Sequence, residues 1–189
     1  IDDFFNPEGL AEVWQYALEA PCFRSLRPGY LGAFPSDGCL HPIFWRAAES
    51  LERNLPSILK KHHLTRWWLF KYFTCGSAGI GIHADDAAVN VNVWLAPDRA
   101  CRKGGGLNIY KSTPPAGSWT ADHNRVMGGG DGWRVALAQG GVDHVPYKQN
   151  RACIFVSDRF HASEPFDFPE EDLPRVNLTF LFGDRRSRG

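Results

Sequence analysis

Two segments in the second half of the chain alternate between apolar and polar residues with period two. Residues 87–95 (AAVNVNVWL) are the first of these segments and residues 175–182 (RVNLTFLF) are the second. Successive side chains of a β-strand point to opposite faces, so each segment predicts a strand with one apolar and one polar face. The predicted apolar residues are Val89, Val91, Val93 and Leu95 in the first strand, and Val176, Leu178, Phe180 and Phe182 in the second.

The polar faces of these two strands carry residues that strands usually avoid. They comprise Asn90, Asn92 and Trp94 in the first strand, and Arg175, Asn177 and Thr179 in the second. Buried amides need hydrogen-bond partners, so the first strand alone fits either a solvated outer face or a polar pocket. Two such strands in one chain favour a pocket inside a β-sandwich whose apolar backs are covered by helices. The predicted fold class is therefore mainly β, with a jelly-roll core.

The first third of the chain predicts the covering helices. Asn6 and Pro7 fit the cap and first turn of one helix, and a second helix is predicted to begin near Pro42. The apolar stripe of the first helix contains Leu10, Val13, Trp14, Ala17 and Leu18. We expect a single domain over residues 1–189, with a helical support region at 1–64 and a jelly-roll core at 65–183.

A candidate metal site lies between the predicted strands. Residues 67–74 form a strand-like run, and a glycine-rich turn at 75–82 leads to His83 and Asp85. Chance alone gives roughly one His-x-acid triplet in a chain of this composition, so the triplet needs support. That support is His161, after the predicted strand at 151–157. Two imidazoles and one carboxylate leave three positions of an Fe(II) ion open for substrate and oxygen.

Asp86 is the rival carboxylate ligand. Adjacent residues of an extended chain point to opposite sides, so His83 and Asp85 can converge on one metal ion and His83 and Asp86 cannot easily do so. The other histidines, including His62 and His63 at the end of a predicted basic helix, are expected to face solvent.

Four segments together resemble the core of the 2-oxoglutarate/Fe(II)-dependent oxygenases. They are GIHADDAAVNVNVWL (81–95), GGGLNIY (104–110), VPYKQNRACIFVSDRFHASEPF (145–166) and PRVNLTFLFG (174–183). The resemblance is nearest to the prolyl-hydroxylase-like branch, and nearer still to uncharacterised bacterial oxygenase domains of tetratricopeptide-repeat proteins. It covers roughly residues 65–183 and implies a double-stranded β-helix core with N-terminal helices packed on the larger sheet.

The resemblance also implies a role for several residues. His83, Asp85 and His161 would bind Fe(II), and Arg175 on the last core strand would pair with the far carboxylate of 2-oxoglutarate. Tyr72 matches a tyrosine that the family often uses for the same cosubstrate, although its neighbours also fit a core residue. Asn92 and Asn177 are further cosubstrate contacts. Asn177 departs from the family pattern, in which Ser or Thr is common, but an amide can still bind a carboxylate.

The implied reaction is hydroxylation of a second substrate by O2, coupled to conversion of 2-oxoglutarate into succinate and CO2, with ascorbate as a reductant. Asp85 favours hydroxylation, because related halogenases have a small residue at that position. A peptide or protein side chain is favoured as the second substrate over a free small molecule. The alternatives are a cupin-like metal enzyme that uses no keto acid and a non-catalytic jelly-roll binding module.

Composition excludes some classes of function. Lys plus Arg and Asp plus Glu both number 21, so the chain lacks the basic surplus typical of nucleic-acid binding, and no apolar run is long enough for a membrane span. Five cysteines without a CxxC motif predict free thiols in a reducing, cytoplasmic compartment. The chain starts at Ile1 without a signal-like segment, which fits a domain excised from a longer protein.

Residues 111–141 lose periodicity and are rich in glycine and proline. They fit either an ordinary surface loop or a flap over the metal site, because long loops that carry aromatic residues are often substrate lids.

Overall fold

A computed structural model of the chain describes residues 1–59, 61–72, 79–114, 124, 137 and 139–185. Its N-terminal helices are α1 (Pro7–Glu19), α2 (Pro42–Asn54) and the single-turn α3 (Pro56–Leu59). The strands, in chain order, are β1 (Ser25–Arg27), β2 (Tyr30–Ala33), β3 (Leu64–Tyr72), β4 (Val89–Trp94), β5 (Lys103–Gly104), β6 (Leu107–Tyr110), β7 (Val142–Val145), β8 (Ala152–Val156), β9 (His161–Ser163), β10 (Phe166–Asp167) and β11 (Arg175–Phe182).

The larger sheet is antiparallel, with strand order β1-β2-β3-β11-β4-β8. The final strand, β11, lies between β3 and β4. Its register places Arg175 opposite Tyr72 of β3, and Thr179 opposite Asn92 of β4. Directly opposed residues of neighbouring strands share a face of the sheet, so the polar residues of β4 and β11 form one continuous surface, as the period-two pattern predicts.

The other face of this sheet packs against the helices. The alternating apolar residues of β4 and β11 are buried in one cluster with Val13 and Ala17 of α1 and with Phe44 of α2. Both helix starts are as predicted: Asn6 caps α1 by accepting from the backbone N–H of Gly9 over 2.9 Å, and α2 begins at Pro42. The predicted apolar stripe of α1 is too wide. Leu18, in the last turn of α1, is 37% exposed.

A second layer of short strands faces the polar side of the larger sheet. It consists of the sheet β7-β6-β9 and the two-stranded sheet β10-β5. Trp94 and Cys153 of the larger sheet pack against Leu107 and Ile109 of β6, which closes one end of the space between the layers. The predicted mainly β fold is confirmed, because the two layers form a jelly-roll sandwich with helices on the outer face of the larger sheet.

The region predicted as helical support at residues 1–64 also contributes strands. The hairpin β1–β2 extends the larger sheet beyond β3, and sequence patterning missed it because strands of three and four residues are too short to show a period. The basic helix predicted to end at His62 and His63 ends at Leu59 among the described residues. The segment 111–141, for which the sequence fits either a surface loop or a flap, lies largely outside the described residues.

The described part of the chain contains four cysteines, and all four are free thiols: Cys22, Cys39, Cys101 and Cys153.

Among the described residues, no helix has the length and apolar character needed to cross a bilayer.

Candidate metal and cosubstrate site

A single antiparallel bridge brings two of the predicted metal ligands together. The backbone N–H of His83 donates to the carbonyl of His161 over 3.0 Å, and the N–H of His161 donates back over 2.8 Å. The ring centroids are 4.2 Å apart. Asp85 lies two residues after His83, on the same side of the chain. The bridge therefore fixes residues 83–85 against the start of β9, although they form no regular strand.

The three side chains meet at their polar ends. Nε2 of His83 lies 3.8 Å from Oδ1 of Asp85, and Nε2 of His161 lies 3.4 Å from Oδ2 of the same carboxylate. The three ligand atoms all lie within 4.8 Å of one another. Asp86, the rival ligand, is exposed and is not part of this group. The structure therefore brings together the residues that the sequence predicts.

Backbone carbonyls orient both imidazole rings. Nδ1 of His83 lies 2.8 Å from the carbonyl oxygen of Gly81, and Nδ1 of His161 lies 2.9 Å from that of Arg159. A carbonyl oxygen can only accept a hydrogen bond, so each Nδ1 carries a proton. Each Nε2 is then directed toward Asp85, and it can bind a metal ion when it carries no proton of its own, as in a metal ligand whose other ring nitrogen is held by the protein.

The charge states also suit a divalent metal ion. Burial and the nearby His161 ring lower the pKa of His83 to about 4, against the opposing effect of Asp85. Burial by itself raises the pKa of Asp85, but the hydrogen bond from His161 and the charges of the two histidines outweigh it, so this pKa lies below its usual range. At neutral pH the site presents an uncharged His83 and an ionised carboxylate, which are the forms that bind metal.

A chain of amides connects the carboxylate to the centre of the larger sheet. The side-chain amide of Asn90 donates to Oδ2 of Asp85 over 2.6 Å, and that of Asn92 donates to Oδ1 of Asn90 over 2.6 Å. The side-chain amide of Asn177 and the hydroxyl of Thr179 both donate to Oδ1 of Asn92, over 2.8 Å and 3.0 Å. These hydrogen bonds offset the cost of burying three amides in a sheet.

Arg175 is 2% exposed and has one part of its guanidinium group unpaired. Nε and Nη2 donate to the carbonyl oxygen of Gly105 over 3.2 Å and 2.9 Å. The group lies 5.0 Å from the ring centroid of Tyr72 and 4.9 Å from that of Phe166. Nη1 is buried without a hydrogen-bond partner among the described residues. A buried cationic donor without an acceptor is costly, so this atom fits a site for an anionic ligand.

The metal ligands and Arg175 line the same cavity between the two layers. All of the predicted cosubstrate contacts, Tyr72, Asn92 and Asn177, line it too. Tyr72 also belongs to a buried cluster with Phe166, so it is both a core residue and part of the cavity wall. The remaining lining residues are Trp68, Phe70, Ile80, Trp94, Leu107, Ser163 and Thr179.

Sequence reasoning missed two contributors to this site. Gly105 supplies the carbonyl that holds Arg175. The flanking glycines let the backbone pass close enough to place this carbonyl. A Cβ on Gly104 would collide with the carbonyl of Pro165, and one on Gly106 would collide with that of Val145. The run of three glycines was the available signal. Asn90 lies on the predicted polar face of β4. Its bond to Asp85 could not be predicted, because the position of Asp85 depends on the bridge between His83 and the distant His161.

Comparisons with known proteins agree with this geometry at the level of the fold. No protein-family model matches the chain, and no curated protein matches it at the level of sequence. Solved structures do match. HygX from Streptomyces hygroscopicus, with nickel and 2-oxoglutarate bound, has a TM-score of 0.66 and 11% identity, covering 98% of this chain and 82% of that one.

Two further solved structures match over the whole of this chain. EctD from S. alaskensis has a TM-score of 0.64 and 16% identity over 100% of this chain and 73% of its own. A prolyl hydroxylase from Trichoplax adhaerens, in complex with a peptide fragment of hypoxia inducible factor, has a TM-score of 0.53 and 16% identity, with 100% and 84% covered. This chain therefore has the jelly-roll fold of the 2-oxoglutarate-dependent oxygenases.

Proposed function

We propose that this protein is an Fe(II)- and 2-oxoglutarate-dependent dioxygenase that hydroxylates a second substrate. The observation that supports this most directly is one cavity lined both by the His83, Asp85 and His161 cluster and by the buried, partly unpaired Arg175. A metal ion alone needs only the cluster. A buried arginine on the same cavity wall adds a site for the anionic end of a keto acid.

In this proposal Nε2 of His83, Nε2 of His161 and one oxygen of Asp85 hold the metal ion. Two imidazoles and a carboxylate are a donor set that would suit Fe(II) and would leave room for further ligands. Iron supplies the redox chemistry that couples oxidation of 2-oxoglutarate by O2, to succinate and CO2, with hydroxylation of the second substrate. Asn90 keeps the second oxygen of Asp85 engaged, so the carboxylate presents a single oxygen to the metal.

Arg175 binds the far carboxylate of 2-oxoglutarate. The carbonyl of Gly105 occupies the fork formed by Nε and Nη2, which leaves the fork formed by Nη1 and Nη2 for two parallel hydrogen bonds to a carboxylate. The rings of Tyr72 and Phe166 contact each other beside the guanidinium group, with centroids 5.2 Å apart, and they exclude water and strengthen this pairing. Burial raises the pKa of Tyr72, so its hydroxyl stays protonated and able to donate.

A peptide or protein side chain is our proposed second substrate. The resemblance to prolyl hydroxylases supports it, as does the Trichoplax adhaerens enzyme, whose structure contains a peptide. A HygX structure contains hygromycin B, so the same fold also accommodates a small molecule. Product identification by mass spectrometry distinguishes a peptide from a small molecule.

The decisive experiment combines a binding and a turnover measurement. The full chain with Fe(II) under anaerobic conditions should develop metal-to-ligand charge-transfer absorption when 2-oxoglutarate is added, and should release succinate when O2 is admitted. Ascorbate should increase the number of turnovers. Iron binding without the absorption band would favour a cupin-like enzyme, and absence of iron binding would favour a non-catalytic module.

The same preparation can identify the second substrate. The enzyme is incubated with a cell extract under 18O-labelled O2, and mass spectrometry then searches for products that have gained one labelled oxygen. His83→Ala protein serves as the control, because any labelled product that it also forms does not depend on the metal site.

A further inference from the structure

The face of the larger sheet that carries the candidate site changes from polar to aromatic between β11 and β3. Register across this boundary pairs Asn177 with Phe70 and Thr179 with Trp68. One strand further out, β2 pairs Tyr30 with Tyr72. The half of the face formed by β4 and β11 therefore holds the amides, and the half formed by β2 and β3 holds aromatic rings.

We call the half-buried rings of this face, Tyr30, Phe34, Trp68 and Phe70, the aromatic wall. The rings form a row in which each contacts the next. The centroids are 4.9 Å apart for Tyr30 and Phe70, 5.8 Å for Phe70 and Trp68, and 6.2 Å for Trp68 and Phe34. Gly32 lies beneath them. A Cβ there would come within 3.1 Å of the Phe34 ring and 3.2 Å of the Phe70 ring, so glycine at this position keeps the wall close-packed.

The aromatic wall continues into the candidate metal cavity. Trp68 and Phe70 line the same cavity as His83 and Asp85, whereas Tyr30 and Phe34 extend the surface away from it. The opposite face of these strands is covered by the helices, where Trp67 and Leu69 are 5% and 0% exposed. The wall therefore differs from the core of the sheet, because its rings keep accessible area next to the metal ligands.

Charged groups of both signs lie near the aromatic wall. Arg27 lies opposite Tyr30 in the register of β1 and β2, and the exposed Arg66 precedes Trp68 by two residues on the same face of β3. The Asp37 carboxylate accepts from the backbone N–H of Phe34 over 3.2 Å, and Asp85 lines the cavity together with Trp68. These charges therefore do not select the charge of a ligand, and the rings themselves are the distinguishing feature of the surface.

We propose, on the basis of the function proposed above, that the aromatic wall binds a ring-bearing side chain of a peptide substrate next to the metal. Flat rings offer a large contact area with little loss of conformational freedom, and a ring stacked on Trp68 or Phe70 lies in the cavity that contains the metal ligands. Proline and the aromatic residues have side chains of this kind.

Paramagnetic relaxation tests the proposal without requiring the natural substrate. Mn(II) replaces iron in the full chain with saturating 2-oxoglutarate, and proton relaxation of two probes is followed as protein is added. The probes are 3-phenylpropanamide, which has a ring, and hexanamide, which is apolar without a ring. We expect Mn(II)-dependent relaxation that is stronger for 3-phenylpropanamide than for hexanamide, and Zn(II) protein gives the diamagnetic baseline.

Variants then place the probe on the wall. Trp68→Ala and Phe70→Ala should each weaken the apparent affinity for 3-phenylpropanamide at least about fivefold. Trp68→Leu, which keeps apolar volume without the ring, should lie between Trp68→Ala and the wild type and guards against misfolding. Trp45→Ala is the matched control, because Trp45 is a half-exposed tryptophan on α2, on the other side of the sheet.

The possible results separate this proposal from the one on which it rests. Equal probe affinity in the wild type and in both wall variants, or equal affinity for hexanamide and the ring probe, would overturn the aromatic wall. Absence of the Fe(II)–2-oxoglutarate absorption band would overturn the proposed function instead. N-acetyl-Gly-Phe-Gly-amide tests whether the ring belongs to a peptide: tighter binding than 3-phenylpropanamide supports the peptide, and weaker binding overturns it in favour of a small molecule.

Discussion

The side-chain amide of Asn90 donates to Oδ2 of Asp85 over 2.6 Å, and this bond joins the candidate metal site to the larger sheet. Asn90 is completely buried in β4, where its side-chain oxygen Oδ1 accepts a hydrogen bond from the side-chain amide of Asn92. The hydrogen bond fixes the rotation of the carboxylate. Asp85 itself lies outside the regular strands, so its orientation depends on this partner.

Replacing Asn90 should therefore weaken metal binding without removing a ligand. Asn90→Ala is expected to lower Fe(II) affinity about 10- to 100-fold, the usual effect of removing a partner that orients a metal ligand. Anaerobic titration with Fe(II) measures this effect. Asn108→Ala is the control, because Asn108 lies on β6 and bonds to the exposed His144. A folded Asn90→Ala protein with wild-type Fe(II) affinity would contradict the role of Asn90.

Loss of any one of the three proposed ligands should have a larger effect. His83→Ala and His161→Ala are expected to abolish tight Fe(II) binding and turnover, because each leaves two protein ligands on a metal that needs three. Asp85→Ala should lose hydroxylation as well. His63→Ala, with a side chain that is 80% exposed, should behave like the wild type. Retention of both Fe(II) affinity and succinate release in all three variants would mean that the ligands are wrongly assigned.

Periodicity predicted the faces of the central strands because burial acts on every second residue. Val91 and Val93 are 0% exposed beneath the helices, and Asn90 and Asn92 lie on the opposite face, as expected. The spacing of His83 and Asp85 predicted convergence for the same geometric reason. These features depend on local backbone geometry, which sequence patterns record directly.

Contacts between distant segments could not be predicted in the same way. Which residue accepts from Asn90 depends on the bridge between His83 and His161, and the partner of Arg175 depends on how residues 104–106 pass between Pro165 and Val145. The continuation of the polar face into aromatic rings depends on the hairpin β1–β2, whose strands are too short to show periodicity.

The glycine run offers a test of how Arg175 is held. Gly104 has φ +65, and a Cβ there would collide with the carbonyl of Pro165, so Gly104→Ala should displace the neighbouring Gly105 carbonyl from Arg175. We expect a loss of about 1–3 kcal/mol in the free energy of unfolding and weaker 2-oxoglutarate binding. Gly38→Ala is the control, because Gly38 also has a positive φ but open space surrounds its Cβ position. Equal thermal midpoints and equal 2-oxoglutarate affinity in both variants would refute this account.

Packing of the helices on the larger sheet predicts a graded loss of stability. Phe44→Ala removes a ring with 0% exposure and should lower the free energy of unfolding by about 3–5 kcal/mol. Trp14 is only half-buried, so Trp14→Ala should cost less, about 1–3 kcal/mol. Leu18→Ala should stay within about 0.5 kcal/mol. Denaturant unfolding measures all three, and an unchanged midpoint for Trp14→Ala would make α1 a better candidate for partner binding.

Arg175 connects the geometry of the cavity to the identity of the cosubstrate. If its free fork holds the far carboxylate of 2-oxoglutarate, Arg175→Ala should weaken 2-oxoglutarate binding by about 2–5 kcal/mol, roughly 30- to several-thousand-fold, while Fe(II) affinity stays nearly intact. Arg175→Lys should fall between, because a lysine keeps the charge but loses the two parallel hydrogen bonds. Arg53→Ala, at the exposed end of α2, is the matched control. Titration of the anaerobic Fe(II) protein, followed by charge-transfer absorption, gives each affinity. Unchanged 2-oxoglutarate affinity in both Arg175 variants would assign the anchor to another basic residue or remove the keto acid from the mechanism.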